Sequence, residues 1–160
     1  MADEPILEKR FNEGIDIEEY LRDGAILVRL FIEVQSNDKD AAERAINRTI
    51  FDSLANEKAV RLIYAKFYDI RKDRKLNFFS GVVEVKLLTI DFRWLVSVVM
   101  RYGPSAIEII KPEKVTLSMD EMQSLLADVS EISQMYSSKI ISLLKDDERK
   151  KLYEKMLGGA

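Results

Sequence analysis

The chain has no cysteine and no histidine among its 160 residues, and only six glycines and three prolines. Without the first two side chains there is no disulfide, no thiol nucleophile, no Ser-His-Asp or Cys-His arrangement and no cysteine or histidine ligation of zinc or iron-sulfur. The usual proton shuttle at neutral pH is missing as well. Few Gly and Pro, with 47% hydrophobic and 33% charged residues, exclude low complexity and disorder. No run approaches about 18 consecutive apolar residues. The opening Met1-Ala2-Asp3-Glu4-Pro5 is acidic where a signal peptide is basic, so a soluble, cytoplasmic protein is expected. Gly81 and Gly103 stand alone, so there is no phosphate-cradling loop, and G-x-S-x-G is absent.

What is present amounts to about one domain's worth of residues, enough to bury roughly two-thirds of the unfolded surface. The formal charge of −3 is uneven. Residues 1–23 carry eight acids and three bases, a net of −5, which leaves +2 for the rest. A pI near 5.2 argues against a dedicated duplex-binding protein, whose affinity rests on phosphate neutralisation.

Along the chain, residues 6–23 carry Ile6, Leu7, Phe11, Ile15, Ile17 and Leu21 around Gly14 and predict one or two short helical pieces. Residues 25–35 predict a first strand. Ile26, Val28, Leu30, Ile32 and Val34 form an aliphatic face; Leu27, Arg29, Phe31, Glu33 and Gln35 form a mixed one. Ser36-Asn37-Asp38 offers an N-cap to a helix of about five turns, with Ala42, Ile46, Ile50 and Leu54 on one side, ending near Asn56. Val60–Ile70 predicts a second strand, with Ile63, Ala65 and Phe67 opposite Leu62, Tyr64, Lys66 and Tyr68. The polar connection Arg71-Lys72-Asp73-Arg74-Lys75 then leads into a third strand from about Phe78 to Ile90, making a hairpin. Asp91 caps a helix over Phe92–Tyr102, stopped by Gly103-Pro104, and Ala106–Ile110 is a short fourth strand. The order over 25–112 is β-α-β-β-α-β, a ferredoxin-like α+β pattern: a four-stranded antiparallel sheet with two helices on one face.

Ser118-Met119-Asp120-Glu121 is a capping box that opens a long C-terminal helix, and Asp146–Leu157 adds a shorter one. No Pro/Gly/Ser-rich linker separates them from the rest. Residues 1–160 therefore read as a single domain with an acidic segment at 1–23, a ferredoxin-like core at 25–112 and C-terminal helices at 118–157.

Four features bear on function. Apolar positions at spacings of three and four, among them Leu125, Val129, Ile132, Tyr136, Ile140 and Leu143, make a stripe too large to leave in water. It folds back onto its own chain or forms a seam with a second copy or another protein. The helix at 92–102 has Phe92, Leu95, Val96 and Val99 on one face and Trp94 and Val98 on another, as if packed between layers. The mixed sheet face carries Arg29, Phe31, Tyr64, Lys66, Tyr68, Phe78, Val82, Glu84 and Lys86; aromatics so placed either pack or stack on nucleic-acid bases. Finally, Arg71, Lys72, Arg74 and Lys75 at a hairpin tip are either a solvated turn or an anion contact, with the acidic N-terminal segment able to shield them in cis. Asp16, Glu18 and Glu19 read as a solvated helix face.

The stretch Val99-Met100-Arg101-Tyr102-Gly103-Pro104-Ser105-Ala106-Ile107-Glu108-Ile109-Ile110-Lys111-Pro112 resembles the end of the C-terminal extension domain of WYL-type bacterial transcription regulators. That resemblance implies a ferredoxin-like module for oligomer contacts or ligand sensing. It covers about 14 residues, with neither a Trp-Tyr-Leu core nor a helix-turn-helix before it. In its Ile/Lys/Glu-rich, cysteine-free style the whole chain also resembles small uncharacterised archaeal proteins. ACT-like regulatory domains share the topology, but Ser36-Asn37-Asp38 has no glycine after the first strand.

Two functional expectations result. The first is a non-enzymatic interaction or ligand-sensing module that self-associates as a dimer, without cofactor, metal or membrane. The alternative is an RNA- or anion-binding domain using Phe31, Tyr64, Tyr68 and Phe78 with Arg71, Lys72, Arg74 and Lys75. For an enzyme, no nucleophile–base pair or metal set can be named.

Overall fold

The structure, a computed structural model, describes residues 3–158. Its elements are β1 (Leu7–Arg10), α1 (Ile17–Arg22), β2 (Ile26–Ser36), α2 (Lys39–Asn47), β3 (Val60–Phe67), β4 (Arg71–Asp73), β5 (Phe78–Thr89), α3 (Phe92–Tyr102), β6 (Ala106–Lys111), α4 (Met119–Leu143) and α5 (Asp146–Gly158). The chain divides into two compact units, one ending at Leu117 and the other beginning at Ser118. None of the helices among the described residues is long and apolar enough to cross a membrane.

The first unit is α+β, with a six-stranded antiparallel sheet in the order β1-β3-β5-β2-β6 and β4 paired to the end of β5. The aliphatic face of β2 is its foundation. Ile26, Val28, Leu30 and Ile32 are buried with Val83, Val85 and Leu87 of β5, and Ile46, Ile50, Leu54, Leu95 and Val98 join the same cluster from the helices. Asp38 and Asp91 cap α2 and α3 by accepting from Ala41 N and Trp94 N, each at the third residue on. Helical structure continues past α2 as a π-turn over Arg48–Ser53 and a 3₁₀ turn over Leu54–Asn56, which keeps Ile50 and Leu54 on the core side. Gly103 takes the left-handed conformation at φ 54° and ends α3, as its position after Tyr102 requires.

Four local expectations are corrected. Residues 7–10 are a strand, not a helical piece: Leu7 to Arg10 pair with Phe67 to Tyr64, and Ile6 N and Phe11 N donate to carbonyls of β3 at either end. Only Ile17–Arg22 is helical in that segment, with Asp16 as its N-cap. In β3 the alternation breaks at Ile63. Leu62 pairs with Leu87 and Tyr64 with Lys86, so Ile63 is an extra, bulged residue. The bulge shifts the parity, so the buried residues are Leu62, Ala65 and Phe67 rather than Ile63, Ala65 and Phe67. In α3, Val98 shares the core stripe with Leu95, and Trp94 is exposed. The fourth correction concerns the basic stretch. Arg71-Lys72-Asp73 pairs back on Ser80, Phe79 and Phe78 as β4, so only Arg74 and Lys75 lie in the turn. Asp73 Oδ1 accepts from Lys75 N and Leu76 N, and Asn77 has φ 54°; together these close the turn tightly enough for the strands to pair.

The second unit holds α4 and α5. Ser118 and Glu121 make both halves of the capping box, Glu121 N donating to Ser118 Oγ at 3.1 Å and Ser118 N to the Glu121 carboxylate at 2.7 Å. These bonds hold the Glu121 carboxyl below the usual range, the backbone donor of Ser118 contributing most. Arg149 Nε donates to Ile141 O at 2.9 Å, tying α5 to the end of α4. No residue of α4 or α5 is buried.

Candidate binding face

The mixed face of the sheet is divided between two surroundings. At one end Ala25, Leu27 and Leu88 are buried beneath Ile15, Ile17, Tyr20, Leu21 and the bulged Ile63, so α1 and its approach cover that end. Beyond it the face is polar and centred on Glu84, only 4% exposed although it belongs to the face away from α2 and α3. A carboxylate so buried needs partners, and it has four. Tyr64 and Tyr68 hydroxyls donate to it at 3.4 and 3.2 Å. Arg29 Nη1 lies 3.3 Å and Lys66 Nζ 3.9 Å away. Burial, then the Glu84 charge, push the Tyr68 phenol above its ordinary value and keep it a donor. Arg29 also donates from Nε to Glu108 of β6 at 2.7 Å, and this bond leads the effects that raise its pKa.

Of the eight residues expected to meet an anion or a nucleic acid, Phe31, Tyr68 and Arg71 come together, lining a shallow cavity of about 340 Å³ with Asp3, Asp69, Ser80 and Val82. Tyr64 is turned to Glu84. Phe78 lies opposite Asp73 at the start of β5, and Lys72 covers the Phe79 ring at 5.6 Å. Arg74 and Lys75 are exposed in the turn. The four bases are therefore not one patch. Arg71 is already ion-paired with Asp3, so the acidic N-terminal segment does reach this cluster. The walls of the cavity carry two carboxylates, Asp3 and Asp69, to one guanidinium, Arg71.

The residues expected to self-associate lie along α4. Leu125, Val129 and Ile132 are half-buried, while Tyr136, Ile140 and Leu143 are exposed. Of the acids read as a solvated face, Asp16 caps α1 and Glu18 pairs with Lys111 of β6 at 3.0 Å. Sequence reasoning missed one further cluster: Glu57 accepts from Arg101 and, at 2.9 Å, from the Tyr102 hydroxyl. Burial acts to raise the Glu57 pKa, but these bonds outweigh it and hold the carboxyl low. Burial, helped by Glu57, pushes the Tyr102 phenol up to about 12. Neither residue carries a motif, and the contact joins positions 44 and 45 apart in sequence.

Fold and face thus define an α+β protein whose first unit is built on a six-stranded antiparallel sheet and whose second unit is helical. The chain belongs to the MJ0538 family, whose model matches residues 27–158. It is 30% identical over 105 residues to "Uncharacterized protein MJ0538" of the archaeon Methanocaldococcus jannaschii, a stretch covering 64% of this chain and 38% of that protein. No solved structure matches.

Proposed function

We propose that this chain is a non-enzymatic, ferredoxin-like interaction module whose copies pair through α4. The ferredoxin-like reading is supported by the order β3-β5-β2-β6, with α2 following β2 and α3 following β5. The stretch read as resembling WYL-type regulators, residues 99–112, falls on the end of α3 and strand β6. The observation that carries the proposal is a helix of 25 residues with a formed capping box and no buried residue, although apolar side chains recur along it every three or four positions. At 1.5 Å per residue the stripe is about 37 Å long, enough for a two-helix seam.

Charge favours an antiparallel pair. Asp120, Glu121, Asp128 and Glu131 lie in the first half of α4 and Lys139 in the second, so antiparallel copies set acids against a base and parallel copies set acids against acids. Equilibrium sedimentation across micromolar concentrations tests this: a dimer is expected, and Leu125→Glu/Ile132→Glu should weaken it at least tenfold. A wild-type chain that stays monomeric throughout overturns the seam.

One observation favours a second reading, that of RNA or anion binding: Phe31, Tyr68 and Arg71 share a cavity. Asp3, Asp69 and the buried Glu84 oppose a polyanion there. Salt-sensitive retention of single-stranded RNA, lost when Arg71, Lys72, Arg74 and Lys75 become Ser, would move the conclusion to that reading.

A further inference from the structure

The strand order β1-β3-β5-β2-β6 ends in β1 on one side and β6 on the other, and these two edges are finished differently. The β1 edge reads Leu7-Glu8-Lys9-Arg10, with Glu8 and Arg10 paired at 3.0 Å; such a charged, four-residue edge resists the addition of another strand. The β6 edge reads Ala106-Ile107-Glu108-Ile109-Ile110-Lys111, and all six residues are exposed. Only two of its six residues are charged, against three of four in β1, and three are isoleucine. Glu108 pairs with Arg29 and Lys111 with Glu18.

Registry decides what β6 presents. Ile107 and Ile109 lie opposite Leu30 and Val28, hence on the face that carries the core. Leu30 and Val28 are fully buried, yet Ile107 and Ile109 are 48% and 50% exposed. The aliphatic layer therefore runs to the edge of the sheet and stops there uncovered. Glu108 and Lys111 lie opposite Arg29 and Leu27, on the other face, and Ile110 is bulged between partners.

We infer that β6 is a pairing edge for β6 of a second copy, joining two sheets antiparallel into one. Charge complementarity selects the occupant. With Ile109 on the two-fold axis and Ile110 left out as the bulge already leaves it, Glu108 of each copy lies opposite Lys111 of the other. Arg29, Glu108, Lys111 and Glu18 then form a row of alternating sign across the junction, repeated by the symmetry, while isoleucines meet on the opposite face. An unrelated strand would supply backbone bonds but not that row. This contact is separate from the α4 seam and does not depend on it.

The absence of cysteine makes the test direct. Ile109→Cys places one thiol next to its symmetry mate, and directly opposed antiparallel residues have Cα atoms about 4.5–5.5 Å apart, within disulfide reach. Mild oxidation at micromolar concentration should yield a covalent dimer at least tenfold faster than Leu7→Cys on the other edge. Adding Glu108→Lys should slow it about tenfold, and Glu108→Lys with Lys111→Glu should restore it. Because Glu108→Lys also removes the Arg29 pair, Ile107→Lys, at a half-exposed position, serves as a second interruption. Both variants are checked for fold by Trp94 fluorescence. Equal rates at the two edges, or indifference to Glu108→Lys and Ile107→Lys alike, overturn the inference. Repeating the reaction with Leu125→Glu/Ile132→Glu separates the two contacts: continued cross-linking supports the edge even if α4 fails, and loss overturns its independence.

Discussion

Leu30 and Leu126 are the same side chain in regular secondary structure, yet Leu30 is 0% exposed and Leu126 is 68% exposed. The units they represent differ in the same way. The sheet unit closes an aliphatic face of β2 and β5 beneath α2 and α3, whereas the helical unit has strong local signals, including both halves of a capping box, but no buried residue. A cap and a repeat of three and four make a helix; burial needs a second surface of matching shape. In the sheet unit the chain supplies that surface itself.

The largest expected effect tests this difference. Leu30→Ala should cost about 2–5 kcal/mol through lost transfer energy and a cavity, whereas Leu126→Ala should stay within about 0.5 kcal/mol at concentrations where the chain is monomeric. Urea unfolding measures both, and equal costs would erase the contrast. Next in size, Ser118→Ala should cost α4 about 1 kcal/mol. Trp94, the single tryptophan, lies in the sheet unit. Its fluorescence transition should therefore stay in place while far-ultraviolet dichroism loses helix; a shift of both together would make the units one cooperative body.

The smallest effect belongs to Glu57, Arg101 and Tyr102. Because the Glu57 carboxyl is held low, its stabilisation is present above the ordinary value of 4.5 and is lost as pH falls through the folded value. Because the Tyr102 phenol is raised to about 12, its contribution is present below 10.0 and is lost as pH rises toward 12. Glu57→Gln should flatten both slopes at a cost of about 0.5–1 kcal/mol at neutral pH, since Arg101 is partly solvated. Urea midpoints at pH 4, 7 and about 10.5 follow this, and unchanged slopes in the variant would remove the cluster's role.

Much of the sheet unit was legible because its signals are local. The alternation of β2, the caps Asp38 and Asp91 and the stop at Gly103 are each read within a few residues. Local patterns mislead where strand pairing decides the element. Glu8-Lys9-Arg10 and Arg71-Lys72-Asp73 are charged and short, so nothing in them announces a strand; pairing with β3 and β5 makes them strands. Ile63 followed the alternation on paper, but the bulge between Leu62 and Tyr64 is decided by registry with β5. On the candidate face the alternation of β2 and β5 is legible in the sequence, but the burial of Glu84 and its ring of Tyr64, Tyr68, Arg29 and Lys66 depends on strands that meet only in the folded sheet.

Composition and periodicity alone determined that this chain makes an antiparallel α+β sheet with a long capped helix after it, and that thiol and imidazole chemistry are closed to it. Backbone conformation and capping act over three or four residues, and a linear reading captures them. Only the tertiary structure decided that Glu84 lies sealed, that Arg71 meets Asp3 and that the isoleucines of β6 end the aliphatic layer uncovered. Burial and ion pairing depend on distances between residues far apart in the chain, and those distances exist only once the strands have chosen their neighbours.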